Sequence, residues 1–181
     1  MSDYEIVRKR ILADLDSTQA VADDIPQVTE LLVGVAKWLQ SRGSTQWQGL
    51  LYGEDSHHTP EAIRRGNVFL FKNGGEVAGM VMLLREPNEW DRELWGDEGH
   101  ESSIYLHRLA INRAYSGQGL GEAILGWAES GIRFPGKERI RLDCIASNPV
   151  LNSFYRKMGY AYAGAAVNPH GEFSKYERRL P

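Results

Sequence analysis

The sequence has almost no cysteine: Cys144 stands alone in 181 residues. With no second thiol there is no internal disulfide and no thiolate cluster for a metal, which suits a reducing compartment, so a cytoplasmic location is expected. Charge of one sign is not in excess either. The 24 acidic and 21 basic residues are interleaved, for a formal net charge of -3. That excludes the basic stripe of a nucleic-acid binder and the polybasic anchor of a membrane-surface protein. No apolar run approaches the roughly 20 residues that cross a bilayer. Met1 to Arg10 carries Asp3, Glu5, Arg8, Lys9 and Arg10 where a signal peptide needs an apolar core. The histidines lack metal-ligand spacing: His57 and His58 are adjacent and point apart, and His100, His107 and His170 are scattered. No metal site is expected.

What is present is 42% hydrophobic residues over a length that suits one compact domain, so residues 1–181 are expected to form a single domain with a sizeable core. Tyr4 to Leu15 reads as a first strand. Asp23 and Asp24 before Pro26 signal a helix start, Val28, Leu31, Leu32, Val35, Ala36, Trp38 and Leu39 recur at helical spacing, and Gly43 supplies a left-handed stop. Ser44 to Pro60 looks like a polar surface loop, and a short helix runs from Pro60 to Gly66. Val68 to Phe71 and Val77 to Leu84 form a hairpin across Lys72-Asn73-Gly74-Gly75-Glu76. Glu86 to Ser102 is acidic and turn-rich. A strand at Ile104 to Ile111, a helix at Gly119 to Ile132 and a strand at Ile140 to Ile145 make a crossover that demands one parallel pair in a mixed sheet. A helix at Pro149 to Met158 and strands at Tyr160 to Val167 and Phe173 to Leu180 complete an α/β (α+β) sandwich.

The segment Ser116-Gly117-Gln118-Gly119-Leu120-Gly121 lies between a strand and an amphipathic helix. Such a glycine run is either a tight turn that needs positive φ or a phosphate cradle of main-chain amides at a helix N-terminus. It is not a P-loop, because no Lys-Ser or Lys-Thr follows the glycines. It departs from the dinucleotide fingerprint too: Glu122 and Ile124 stand where a third glycine would fall, and Asn112 to Ser116 separate the strand from the first glycine.

Leu109-Ala110-Ile111, Arg113-Ala114-Tyr115-Ser116-Gly117-Gln118-Gly119-Leu120-Gly121 and Asn148-Pro149-Val150-Leu151-Asn152-Ser153-Phe154-Tyr155-Arg156-Lys157-Met158-Gly159-Tyr160, in that order and spacing, resemble the GNAT superfamily of N-acetyltransferases. The resemblance is clearest from Ile104 to Gly164. It implies a mixed, mostly antiparallel central sheet flanked by helices, with a splayed parallel strand pair forming the cofactor cleft, and acetyl-CoA as cosubstrate. By the same resemblance, the backbone of Leu109, Ala110 and Ile111 would bind the pantetheine arm, and Gly117, Gln118, Gly119, Leu120 and Gly121 the pyrophosphate. Ser116 occupies the first motif position, commonly Arg or Gln in the family, while Asn148 and Asn152 match positions that contact the cofactor. A backbone N–H near Leu109 would steady the developing oxyanion.

Tyr155 is the candidate acid that protonates the departing thiolate, or else a core tyrosine. The base is less clear. His107 shares a strand face with Tyr105 where some relatives carry an acid residue, and it is the candidate base unless it is structural, with Asp143 as a second candidate. Trp38, Trp47, Trp90, Trp95, His100 and Phe173 could wall an acceptor pocket suited to a cationic amine, polyamine-like or aminoglycoside-like. The expected function is acetylation of the primary amine of a small molecule in a ternary complex. The alternatives are acetylation of a protein amine, a non-catalytic acetyl-CoA sensor, and a nucleotide-binding oxidoreductase. A homodimer is left open.

Overall fold

The computed structural model describes residues 3–181. Three short strands open the chain: β1 (Glu5–Ile6), β2 (Arg10–Ile11) and β3 (Leu15–Gln19). The continuous strand expected over Tyr4 to Leu15 is therefore broken. A hairpin pairs Arg10 with Asp16 and Ile11 with Leu15, and Leu12 makes the turn at a φ of 50°. Helix α1 (Ile25–Ser41) starts on Pro26 and buries Val28, Leu32, Val35 and Ala36. After a 3-10 turn at Gln48–Tyr52 come α2 (Thr59–Arg64), β4 (Val68–Asn73), β5 (Glu76–Leu84) and α3 (Glu89–Trp95). Then follow β6 (Ser103–Ile111), α4 (Leu120–Ser130), β7 (Ile132–Arg133), β8 (Arg139–Ile145), α5 (Pro149–Lys157), β9 (Ala161–Asn168) and β10 (Gly171–Arg179).

The strands form an eight-stranded sheet in the order β2-β3-β4-β5-β6-β8-β10-β9, beside a two-stranded ladder of β1 and β7. The sheet is mixed, as the crossover pattern implied, and mostly antiparallel, as the family resemblance implied, with β6 and β8 as its parallel pair. Strand alternation sends Phe69, Phe71, Val81 and Leu83 to one face, against Ile124, Leu125 and Trp127 of α4. It sends Val68, Leu70, Met80 and Met82 to the other face, against α1 and α2. Among the described residues no helix is long and apolar enough to cross a membrane.

Trp127 is fully buried, meets the rings of Phe69 and Phe71 with centroids at 5.5 and 5.0 Å, and donates its indole N–H to the Arg8 carbonyl at 2.8 Å. Trp127→Ala is expected to cost about 3–5 kcal/mol, from lost transfer energy plus the cavity left behind. Urea unfolding reads this as a lower midpoint at unchanged slope. A loss below about 1 kcal/mol would mean that the neighbouring rings collapse into the space.

Candidate active site

The pairing of β6 with β8 stops after Tyr105 opposite Arg141. Beyond that point the strands part, so the edge of β6 from Leu106 to Ile111 has no ladder partner on the β8 side. Here lies a cleft of about 820 Å³, within the range of small-molecule sites. Leu109, Ala110, Ile111, Asn148, Tyr155, His107 and Asp143 all line it, with Trp38, Trp47, Trp90 and Phe173 of the expected acceptor wall, whereas Trp95 and His100 do not.

Beside the opening, β6 carries a bulge against β5. Met82 pairs with His107 and Met80 with Ala110, so Arg108 and Leu109 together oppose the single residue Val81. Arg108 takes a φ of 52°, a left-handed conformation that costs a residue with a Cβ about 1–3 kcal/mol. Buried contacts hold it there: its Nη2 donates to Asp55 Oδ1 at 2.9 Å, and its guanidinium lies 5.2 Å from the Trp47 ring centre. Burial opposes ionisation of Asp55, but Thr59 and Arg108 outweigh it and hold the carboxyl below its ordinary range. Ser44 to Pro60 is therefore no free surface loop. It closes one side of the cleft with Trp47, Asp55 and His57.

The glycine segment begins past Ile111. Gly117 and Gly119 have φ of 76° and 74°. Gly119 stands at the N-cap of α4 and offers no side-chain cap, whereas Asn88 caps α3 and Asn148 caps α5. The first helical bond there is from Ala123 N to Gly119 O, which leaves the amides of Leu120, Gly121 and Glu122 without acceptors among the described residues. The Leu120 side chain is buried in the core, so only its main chain is available, and Ser116 to Gly119 are exposed. A loop with unclaimed amides at the positive end of a helix dipole fits a pyrophosphate. Asn152 is differently placed. Its Nδ2 donates to Asn148 O at 2.7 Å and Ile145 O at 3.3 Å, and its Oδ1 accepts from the Tyr176 hydroxyl at 2.6 Å, so it braces the start of α5.

Tyr155 is 7% exposed, lines the cleft, and its hydroxyl has no hydrogen-bond partner among the described residues. Burial, then the neighbouring Cys144 and Asp143, push its pKa well above the ordinary phenol value, so the proton stays on oxygen. Burial also pushes the Cys144 thiol up to about 12, so it carries no thiolate near neutrality.

The histidine expected as a base is held by a carboxylate that the linear pattern did not mark. His107 donates from Nε2 to Oδ1 of Asp91 at 2.7 Å. Burial lowers the His107 pKa, but the Asp91 charge and hydrogen bond outweigh it and leave the imidazolium favoured beyond its usual range. Asp91 is fully buried and its Oδ2 accepts from the Asn88 amide at 3.1 Å, as part of the capping box of α3. Asp143 completes the group: one side-chain nitrogen or oxygen each from Asp91, His107 and Asp143 lies within 4.8 Å of the others. His57 stacks on His107 at 4.0 Å between ring centres, and burial and nearby positive charge hold it neutral, well below its usual pKa. Trp90 packs edge-on to Phe173 at 4.9 Å and lies 5.6 Å from His170. Of these, Asp91 escaped the sequence analysis. The available signal was Asn88 followed three residues later by an acid, an N-cap pattern that announces the short helix α3.

Residues 32–160 match the family model described as Acetyltransferase (GNAT) family. A protein of Bacillus subtilis (strain 168) named "Uncharacterized N-acetyltransferase YesJ" is 51% identical over 175 residues, 97% of each chain. The crystal structure of a GNAT-family acetyltransferase from Listeria monocytogenes 4b F2365 superposes with a TM-score of 0.73 at 31% identity, covering 94% of this chain and 100% of that one. The structure of yncA from Salmonella typhimurium, described with its cofactor acetyl-CoA, shares the fold with a TM-score of 0.63 at 14% identity, covering 93% of this chain and 95% of that one. With more than half its length inside the family model and a relative of 51% identity along nearly all of it, this chain belongs to the GNAT family and is an acetyl-CoA-dependent acetyltransferase.

Proposed function

We propose that the chain transfers the acetyl group of acetyl-CoA to the primary amine of a small molecule in the cytoplasm, by direct attack within a ternary complex. One observation carries this reading: the cleft runs without a break from the unpaired edge of β6 to a chamber walled by Trp47, His57, Trp90, Phe173 and Asp143. An activated acyl group and a cationic acceptor can therefore meet inside it. Acetyl-CoA, the cofactor described for yncA, supplies the acetyl as a thioester.

In this reading the main chain of Leu109 to Ile111 holds the pantetheine arm as a strand holds a strand, and the amides of the Ser116 to Gly121 loop hold the pyrophosphate. Asn148 orients the start of α5, with Asn152 bracing it, so that Tyr155 faces the sulfur and protonates the leaving thiolate. His107 serves the acceptor side. Direct attack is favoured over an acyl-cysteine because Cys144 holds its proton. The test is thiol release from acetyl-CoA across a panel of spermidine, tyramine, kanamycin and a lysine-bearing peptide. Turnover of a small amine is expected. Turnover of the peptide alone would transfer the role to protein acetylation, and tight acetyl-CoA binding without any turnover would make the chain a sensor.

A further inference from the structure

We propose that Asp143 is the group that takes the proton from the acceptor's ammonium, and that the buried pair of Asp91 and His107 is the positioning device behind it. The proposal rests on the acetyl-transfer reading above. Asp143 sits on β8 past the last residue paired with β6 and lines the cleft. Its two carboxylate oxygens share the indole N–H of Trp90, at 3.3 and 3.2 Å. That single neutral donor aims the group without filling its lone pairs.

The cations around Asp143 are committed elsewhere. From its own strand, Arg141 donates to the Glu98 carbonyl and the Tyr105 hydroxyl at 3.0 and 3.1 Å and pairs with Glu177 at 3.4 Å. From β10, Lys175 stands directly opposite in the ladder but donates to the Leu94 carbonyl at 3.0 Å. From β6, Arg108 is bound by Asp55 at 2.9 Å, and His107 is bound by Asp91 at 2.7 Å. His57 lies behind His107, and His170 lies beyond Trp90. Asp143 thus feels the charges of His107 and Arg108, opposed by that of Asp91, while each of these cations is bound to another carboxylate, which suits a carboxylate that must release and retake a proton.

The two carboxylates of the trio are treated differently by their surroundings, and this separates their roles. Asp91 is out of contact with solvent and carries two donors, from His107 and the Asn88 amide. Asp143 is half-buried and opens on the cleft. Burial pushes its carboxyl up, the His107 charge pulls it back, and it settles at about 6. At pH 7 it is mostly ionised and close to the operating pH, where a general base works best. Tyr155 reaches the cleft from α5, on the opposite face of the sheet, because the splay between β6 and β8 leaves a window there.

The protons balance as follows. The ammonium gives one proton to Asp143, which passes it to water once product leaves. The free amine bonds to the acetyl carbon and the carbon–sulfur bond breaks. Sulfur takes the Tyr155 proton, and the phenol regains one from the acylated nitrogen. The amide, the free thiol and one released proton result.

Asp143→Asn is expected to lower kcat/KM about a hundredfold for any panel amine that is cationic at pH 7, with acetyl-CoA affinity unchanged. Hydroxylamine arrives neutral and needs no base, so with it the variant should stay within a few-fold of the wild type. The acidic limb of the wild-type profile should fall near pH 6 and vanish in Asp143→Asn. His107→Gln removes the charge that lowers the Asp143 pKa, so its limb should move to higher pH. Carboxyl 13C NMR gives a readout that needs no acceptor: the resonance missing in Asp143→Asn should titrate near pH 6. A midpoint near 4, equal losses with hydroxylamine and with cationic amines, or activity removed by EDTA and restored by Zn2+ would each overturn the proposal. Absence of turnover with every amine would sink the acetyl-transfer reading alone, and the NMR midpoint would still decide the state of Asp143.

Discussion

Replacing Tyr155 with phenylalanine is expected to lower turnover about a hundredfold while leaving acetyl-CoA affinity as it is. The substitution removes one oxygen and keeps the ring. That ring packs against Phe154 at 5.2 Å and against Tyr160 and Tyr176 at 6.0 Å each, so the hydrophobic seat of α5 survives. Nothing else in the fold depends on the hydroxyl, which has no partner among the described residues. What disappears, in the proposed mechanism, is the proton donor for the expelled thiolate, and an unprotonated sulfur readily attacks the acetyl group again. Single-turnover rates and calorimetric affinity separate the two effects. Turnover within twofold of wild type, or a loss confined to affinity, would retire Tyr155 as the acid.

Gly119→Val is expected to abolish acetyl-CoA binding altogether. Gly119 holds a φ of 74° at the N-cap of α4, and a β-branched residue resists that conformation strongly. Space is not the obstacle, since beyond its chain neighbours no heavy atom of the described residues lies within 4 Å of the position a Cβ would take. The harm comes from turning the loop and laying methyl groups over amides that a diphosphate would need. Gly126→Ala is the internal control: the same helix has room there too, the backbone is helical, and binding should be untouched. Wild-type heats of binding in Gly119→Val would remove the cradle from this loop.

The parts legible in the sequence are those whose physics is local. Helix α1 follows from its 3.6-residue period, its proline start and its glycine stop, and the hairpin of β4 and β5 from two apolar runs around a glycine pair. The parallel pair follows from the crossover through α4. The break after Ile11 was hidden because Leu12 makes a left-handed turn without the glycine or asparagine that normally marks one. Helix α3 was hidden because seven residues give too few turns for periodicity to speak. The trio of Asp91, His107 and Asp143 comes from a short helix and two strands far apart along the chain, and its only common cause is the order of strands in the sheet. No spacing rule reaches across such a distance. Asp143 was visible as a candidate, but its uncommitted state depends on where Arg141, Lys175 and Arg108 turn, and that is decided by packing.

The clasp between Asp55 and Arg108 bears on how the enzyme can acquire a new acceptor. Residues 44–58 line one side of the cleft, yet they are anchored to β6 by the ion pair of Asp55 with Arg108 and by the stacking of His57 on His107. A graft that exchanged this segment alone would strand a buried guanidinium in a left-handed backbone with no counter-charge, and so damage the strand whose unpaired edge opens the cleft. Inherited or engineered shifts of specificity must therefore travel as a block, with the wall and the bulge changing together.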